Sequence, residues 1–298
     1  MKPTPQERAK HDEQMRQLAA GREVEDLLRR INVPLVGRHW NITVHVSKGG
    51  LAKTTDTVVL GSLISAHSSV NPVALGADPD RGTLHEAFPP PRFDLCITDL
   101  DKEIVRRENA GSSVQGREVE QFIRRASLHP NYRARNFGAV VASRDAQKRE
   151  EFGGDNYRRV LGELSKHYNL TLTDTGNSTQ ASVMAAVLDM TDLLVIPSST
   201  NPKDYYATMD TIDWLRHSTP RHQQLAQEAI VVVLDKQVPD ADPEAMAHNF
   251  RSKCHQAYTI PHDPHLYADA IIDIDKLAPG TRLAFLRVCA EIMDVLAK

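Results

Sequence analysis

A chain of 298 residues is long for one domain but common among α/β folds, and 41% apolar with 25% charged residues is ordinary for a globular protein. A formal net charge of −3 excludes a global electrostatic pull toward nucleic acid. Three scattered cysteines (Cys96, Cys254, Cys289), no apolar run near the roughly 20 residues that span a bilayer, and a polar start without a signal-peptide core together predict a cytoplasmic protein with reduced thiols.

Taken in order, Pro5 to Arg30 is charged, with Leu18, Val24, Leu27 and Leu28 at rough helical spacing. This predicts an amphipathic helix that either packs on the domain or contacts a partner. The β-branched run Asn41–Val46 reads as a buried strand. It leads through Ser47-Lys48-Gly49-Gly50-Leu51-Ala52-Lys53-Thr54-Thr55 into Asp56–Ser68, whose Val58, Val59, Leu60, Leu63 and Ile64 recur at helical spacing. A strand, a glycine turn and Lys-Thr-Thr at a helix start make a phosphate cradle. Backbone N–H groups close on the phosphates, and the helix N-terminus adds partial positive charge. In such a cradle Lys53 binds the β- and γ-phosphates and the Thr54 hydroxyl holds Mg²⁺. The ordinary pattern G-x-x-x-x-G-K-[ST] would put its glycines at Ser47 and Ala52; the form present is a deviant K-G-G-x-x-K-[ST] with Lys48 in front.

Pro72–Ala77 reads as a second strand ending in Asp78. A carboxylate just past a strand's carboxyl end, beside the phosphate loop, stands where α/β folds place catalytic groups. Taken by itself, Asp78-Pro79 is equally a plain turn. The chain turns irregular from Phe88 to Arg92, and Lys102 to Arg159 is rich in arginine. That region is either a solvated, ion-paired surface or a track for a nucleic-acid backbone. Gly138–Ser143 is a strand within it. The alternating run from Tyr168 ends in Asp174-Thr175-Gly176-Asn177, where Asp174 would complete the Mg²⁺ shell through water and Gly176 N–H would approach the γ-phosphate. Asp192–Pro197 and Ile230–Lys236 are apolar as parallel strands buried on both faces are, with a helix over Tyr205–Leu215 between them. Tyr258–Asp263 is a strand and its exit. Cys254, His255, His262 and His265 match no zinc spacing. The final helix, Thr281–Lys298, has a broad apolar arc and few basic residues, which favours core packing over a membrane surface.

The loop from Lys48 to Thr55 resembles that of the ParA/MinD family of dimerising ATPases. The acid after the second strand, Asp174-Thr175-Gly176, and Ile260-Pro261-His262-Asp263 follow in that family's order over roughly residues 38–298. The resemblance implies a doubly wound, mostly parallel α/β sheet of the P-loop NTPase (SIMIBI-like) kind over 38–298, after an N-terminal helical extension over 1–37. It implies ATP and Mg²⁺, with Lys48, Gly49, Gly50, Leu51, Ala52, Lys53, Thr54, Thr55 and Gly176 around the phosphates. Asp235, Lys236 and Pro261 would lie near the base, and Thr54, Asp78 and Asp174 would serve the metal. Asp78 would orient the attacking water, and Lys48 would reach across a homodimer to the partner's phosphates. The implied function is a slow, partner-stimulated ATPase switch that dimerises with ATP and positions or partitions a DNA or protein cargo. DNA binding without sequence preference would fall to residues 102–159, and no membrane insertion is expected. Ala52, where relatives often have glycine, and Gly76, where they often have another Asp, keep a second reading open: a nucleotide-binding scaffold with little or no hydrolysis, serving a secretion or conjugation apparatus. Gly37-Arg38-His39-Trp40, Pro79–Leu84 and Ile260–Leu266 resemble actinobacterial members encoded beside type VII secretion systems.

Overall fold

The computed structural model describes residues 19–78, 82–89, 94–125, 137–177, 182–267 and 271–298. Helix α1 (19–31) leads into β1 (Trp40–Val44), α2 (Lys53–His67) and β2 (Pro72–Ala77). Next come α3 (Ile97–Asn109), the short α4 (Gly116–Val119), β3 (Arg124–Arg125), β4 (Gly138–Val140), α5 (Ala146–Glu150) and α6 (Gly154–Leu164). The second half alternates regularly: β5 (Leu170–Thr175), α7 (Ser182–Asp189), β6 (Leu193–Ser199), α8 (Pro202–Arg216), α9 (Pro220–Glu228), β7 (Ile230–Leu234), α10 (Pro243–Arg251) and β8 (Gln256–Ile260). It closes with α11 (Pro264–Tyr267) and α12 (Pro279–Leu296).

The sheet order is β3-β4-β2-β5-β1-β6-β7-β8, and every pair is parallel except β3 with β4. Parallel strands need covering on both faces, and the apolar residues divide accordingly. Ile42, Val44, Leu172, Val195 and Val232 join α2 and α12 in one core; Val73, Leu75, Leu194, Ile196 and Val233 join α3, α6, α7 and α8 in the other. The central strands also bury polar groups that pair with one another. Thr173 Oγ1 donates to Asn41 Oδ1 at 2.9 Å, and Asn41 Nδ2 donates to Tyr157 Oη at 3.1 Å. The chain leaves β1 for one side of the sheet and crosses to the other at β6, so the ends of β1, β5 and β6 meet at a topological switch point, where such folds open a crevice.

The expected strands are all present, with shifted ends. β1 stops at Val44, so His45 and Val46 belong to the phosphate loop, and α2 starts at Lys53, where Lys-Thr-Thr was expected to open a helix. The expected strand 138–143 is only three residues long. Within the amino-terminal segment, α1 packs on the domain: Leu27 and Ile31 are buried, Arg30 pairs with Asp294 at 2.7 Å, and Arg287 pairs with Glu23. Residues 1–18 lie outside the described residues. Helix α12 buries Phe285, Val288, Cys289, Ile292 and Met293, which spends its apolar arc on the core. Among the described residues, no helix is long and apolar enough to cross a membrane.

Candidate functional site

The loop after β1 reverses through two left-handed residues, Gly50 (φ +71°) and Ala52 (φ +55°, ψ +21°). Glycine takes that conformation freely, whereas for alanine it costs about 1 kcal/mol or more. The turn wraps one end of a cleft of about 480 Å³, lined by Gly49 to Thr55, Asp78, Thr83, Thr175, Asn177, Leu234, Lys236, Leu266 and Tyr267.

Lys53, the first residue of α2, is 8% exposed. Its ammonium donates to the Lys48 carbonyl at 2.9 Å and to Asn177 Oδ1 at 2.7 Å. Burial lowers its pKa, partly offset by the negative charges of Asp174 and Asp78. One residue on, the Thr54 hydroxyl donates to Asp174 Oδ2 at 2.7 Å and lies 2.9 Å from Thr83 Oγ1. Asp174 lies near the carboxyl end of β5, in register with Val44, so the sheet itself sets it beneath the loop. Burial raises its pKa to about 7, against the lowering effects of Thr54 and Lys53. Its Oδ1 is buried and has no hydrogen-bond partner among the described residues. A hydroxyl beside a carboxylate with an unspent oxygen suits a hard divalent cation, so the residues present fit Mg²⁺. Beneath them, His45 Nδ1 lies 2.8 Å from Thr175 Oγ1, which itself donates to the Val44 carbonyl. Nδ1 therefore carries the proton. Burial and nearby Lys53 keep this ring neutral, with a pKa down at about 3.

Lys48 stands apart from the cleft. It is bonded to Asp204 at 2.5 Å, in the first turn of α8, and Lys236 reaches the other oxygen of the same carboxylate at 2.8 Å. Burial pushes Asp204 up, but bonds from Lys236, Lys48 and Ser199 outweigh it and hold the acid below its usual range. Of the residues expected near the base, only Lys236 lines the cleft. The Asp235 carboxylate turns into its own loop and accepts from the Gln237 N–H at 2.7 Å. Pro261 is exposed and Gly176 is buried, and neither is in the cleft wall. The far end is formed instead by Leu234, Leu266 and Tyr267, whose ring stacks on His262 at 4.9 Å. Sequence patterns gave no warning of Tyr267; Leu266 ends the Ile260–Leu266 run that carried part of the resemblance, and Asn177 had one signal, its place directly after Asp174-Thr175-Gly176.

Gly76 has a packing reason. A Cβ there would lie 2.9 Å from the Ala142 backbone nitrogen, so no aspartate fits. Asp78 lines the cleft, while Pro79, Asp80 and Arg81 lie outside the described residues. Many of the arginines between 102 and 159 are ion-paired: Arg106 and Arg107 with Glu103, Arg125 with Glu120, Arg158 with Asp155, and Arg159 with Asp101. Arg133, Arg135 and the side chain of Arg149 are outside the described residues. No group of His, Cys, Asp and Glu able to hold a metal by themselves occurs among the described residues.

No family model matches the chain. Over 261 residues it is 23% identical to the ESX-1 secretion-associated protein EspI of Mycobacterium tuberculosis, a match covering 86% of this chain but only 36% of that relative's length. Among solved structures, a ParA family ATPase from Chlorobium tepidum superposes with a TM-score of 0.67 at 11% identity, covering 85% of this chain and 98% of that one. MinD from Pyrococcus horikoshii, complexed with Mg-ADP, gives 0.64 at 18% identity, covering 87% and 97%. An ATP complex of a Cyanothece McdA variant gives 0.60 at 13%, covering 87% and 98%. With the strand order and the glycine loop already placed, these likenesses establish that the chain has the fold of the ParA and MinD ATPases.

Proposed function

We propose that this chain is an ATP-driven switch that binds ATP with Mg²⁺, hydrolyses it slowly and alternates between monomer and homodimer in the cytoplasm. The observation that carries the reading is the convergence of Lys53 and the Thr54–Asp174 pair on one cleft beneath a glycine turn. Lys53 neutralises phosphate charge in cis. Thr54, through its hydroxyl, and Asp174, through its unspent oxygen, would be the residues that hold the metal. Mg²⁺, when bound, would supply neutralisation of the charge that develops on the phosphates. Asp78, in the cleft wall, orients the attacking water. Lys48, freed from Asp204, answers the partner's phosphates. Hydrolysis splits the γ-phosphoryl group from ADP onto water, and departure of the inorganic phosphate removes the charge that holds the two chains together and resets the switch.

Calorimetry with Mg-ATP and Mg-ADP tests the site. Wild type is expected to bind and Lys53→Ala to lose binding by at least about 100-fold, the cost of about 3 kcal/mol for one charge-assisted contact. No magnesium-dependent heat in the wild type overturns the proposal. Asp78→Ala is expected to bind normally and to lose phosphate release.

Two observations favour the alternative of a non-hydrolysing scaffold: the strained Ala52, and Gly76 in a space closed to a second acid. Phosphate release that stays at background with DNA and candidate partners added would select it. The similarity to EspI points either form toward service to a secretion apparatus. An activating protein partner fits this role better than DNA does, because so many of the arginines that would track a phosphate backbone are already ion-paired.

A further inference from the structure

Lys53 has three acceptors, and they are not equivalent. The carbonyls of Lys48 (2.9 Å) and Val46 (3.5 Å) belong to the loop backbone and stay with it. The third, Asn177 Oδ1 at 2.7 Å, is the shortest and belongs to an exposed side chain that can swing away. The same amide lies against the glycine turn: a Cβ on Gly49 would sit 3.1 Å from Asn177 Nδ2. Asn177 thus fills the concavity between Lys53 and the turn, the space where the loop geometry calls for a phosphate. A nearly buried ammonium must have its hydrogens accepted. A neutral amide oxygen does this without charge, and a phosphate oxygen does it better.

We propose that Asn177 is an internal stand-in for a phosphate oxygen, holding Lys53 between nucleotide-bound states and setting nucleotide affinity by competing for it. The inference rests on the reading of the cleft as a nucleotide site. It makes Asn177 a positioning residue with an unusual signature: shortening it improves binding, and charging it impairs binding. A merely structural role would lose affinity in both cases.

The test is calorimetry of the full chain with Mg-ADP on wild type, Asn177→Ala and Asn177→Asp, alongside melting temperatures without nucleotide. Asn177→Ala removes the competitor and is expected to tighten the dissociation constant by about tenfold or more, from the net worth of a hydrogen bond to a charged group. Asn177→Asp pairs with Lys53 and repels phosphate, so it is expected to weaken binding by at least about tenfold. Without nucleotide, Asn177→Ala should melt lower than wild type and Asn177→Asp higher. Weaker or unchanged binding in Asn177→Ala overturns it while leaving the nucleotide site standing. No heat from either wild type or Asn177→Ala overturns the site, and the competitor with it.

Discussion

Ala52 is where local chemistry and backbone geometry disagree. Its left-handed φ of +55° is forced by the turn into α2, and a methyl group is the wrong substituent there. Ala52→Gly is expected to raise stability by about 0.5–1 kcal/mol, strain relief exceeding the added freedom of the unfolded chain. A lower melting temperature in the variant would refute this. The acids beneath the loop make a second prediction. Asp174 (pKa about 7) and Asp56, held well above its usual range by burial and by Asp174, bind protons more tightly folded than unfolded. Their ionisation therefore costs stability at high pH, and the cost disappears as pH falls through the folded pKa. Between about pH 8 and about pH 6.5, without metal, Asp174 alone should add about 1 kcal/mol of stability. Below about pH 6.5 His45 opposes this, because it stays neutral when folded to a pKa of about 3 while the unfolded ring takes a proton. Melting curves of wild type and Asp174→Asn decide the matter: an equal slope in both would remove Asp174 from the effect.

At the level of elements, the glycine in the middle of α2 is there for packing. A Cβ on Gly61 would meet the Phe137 ring at 2.2 Å, and Phe137 is fully buried ahead of β4. Gly61→Ala should gain about 1 kcal/mol of helix propensity yet lose more to overpacking, for a net destabilisation of about 1–2 kcal/mol in urea unfolding. A stabilised variant would show that Phe137 has room to move. The central strands were legible because both their faces are covered. Runs such as Ile230–Leu234 and Leu193–Ile196 are apolar without alternation, which no surface strand can be. β3 was not, since two residues carry no period. The phosphate loop announced itself because its glycines and lysines do local work over ten residues.

Across the whole molecule, what escaped sequence reading is what tertiary contact alone creates. Lys48 and Asp204 are 156 residues apart, and nothing near either announces the other. Tyr267 reaches the cleft only because β8 lies at the sheet edge beyond β7 and returns α11 toward it. The homodimer is a prediction at this scale: sizing columns with ATP should show a shift to a larger species in wild type and none in Lys48→Ala that still binds nucleotide. Unchanged assembly in that variant would take Lys48 out of the contact between copies. The shared carboxylate bears on how readily this happens. Asp204 is moored by two cations, so casting off Lys48 leaves the buried acid still neutralised by Lys236 rather than stranded without a counter-charge.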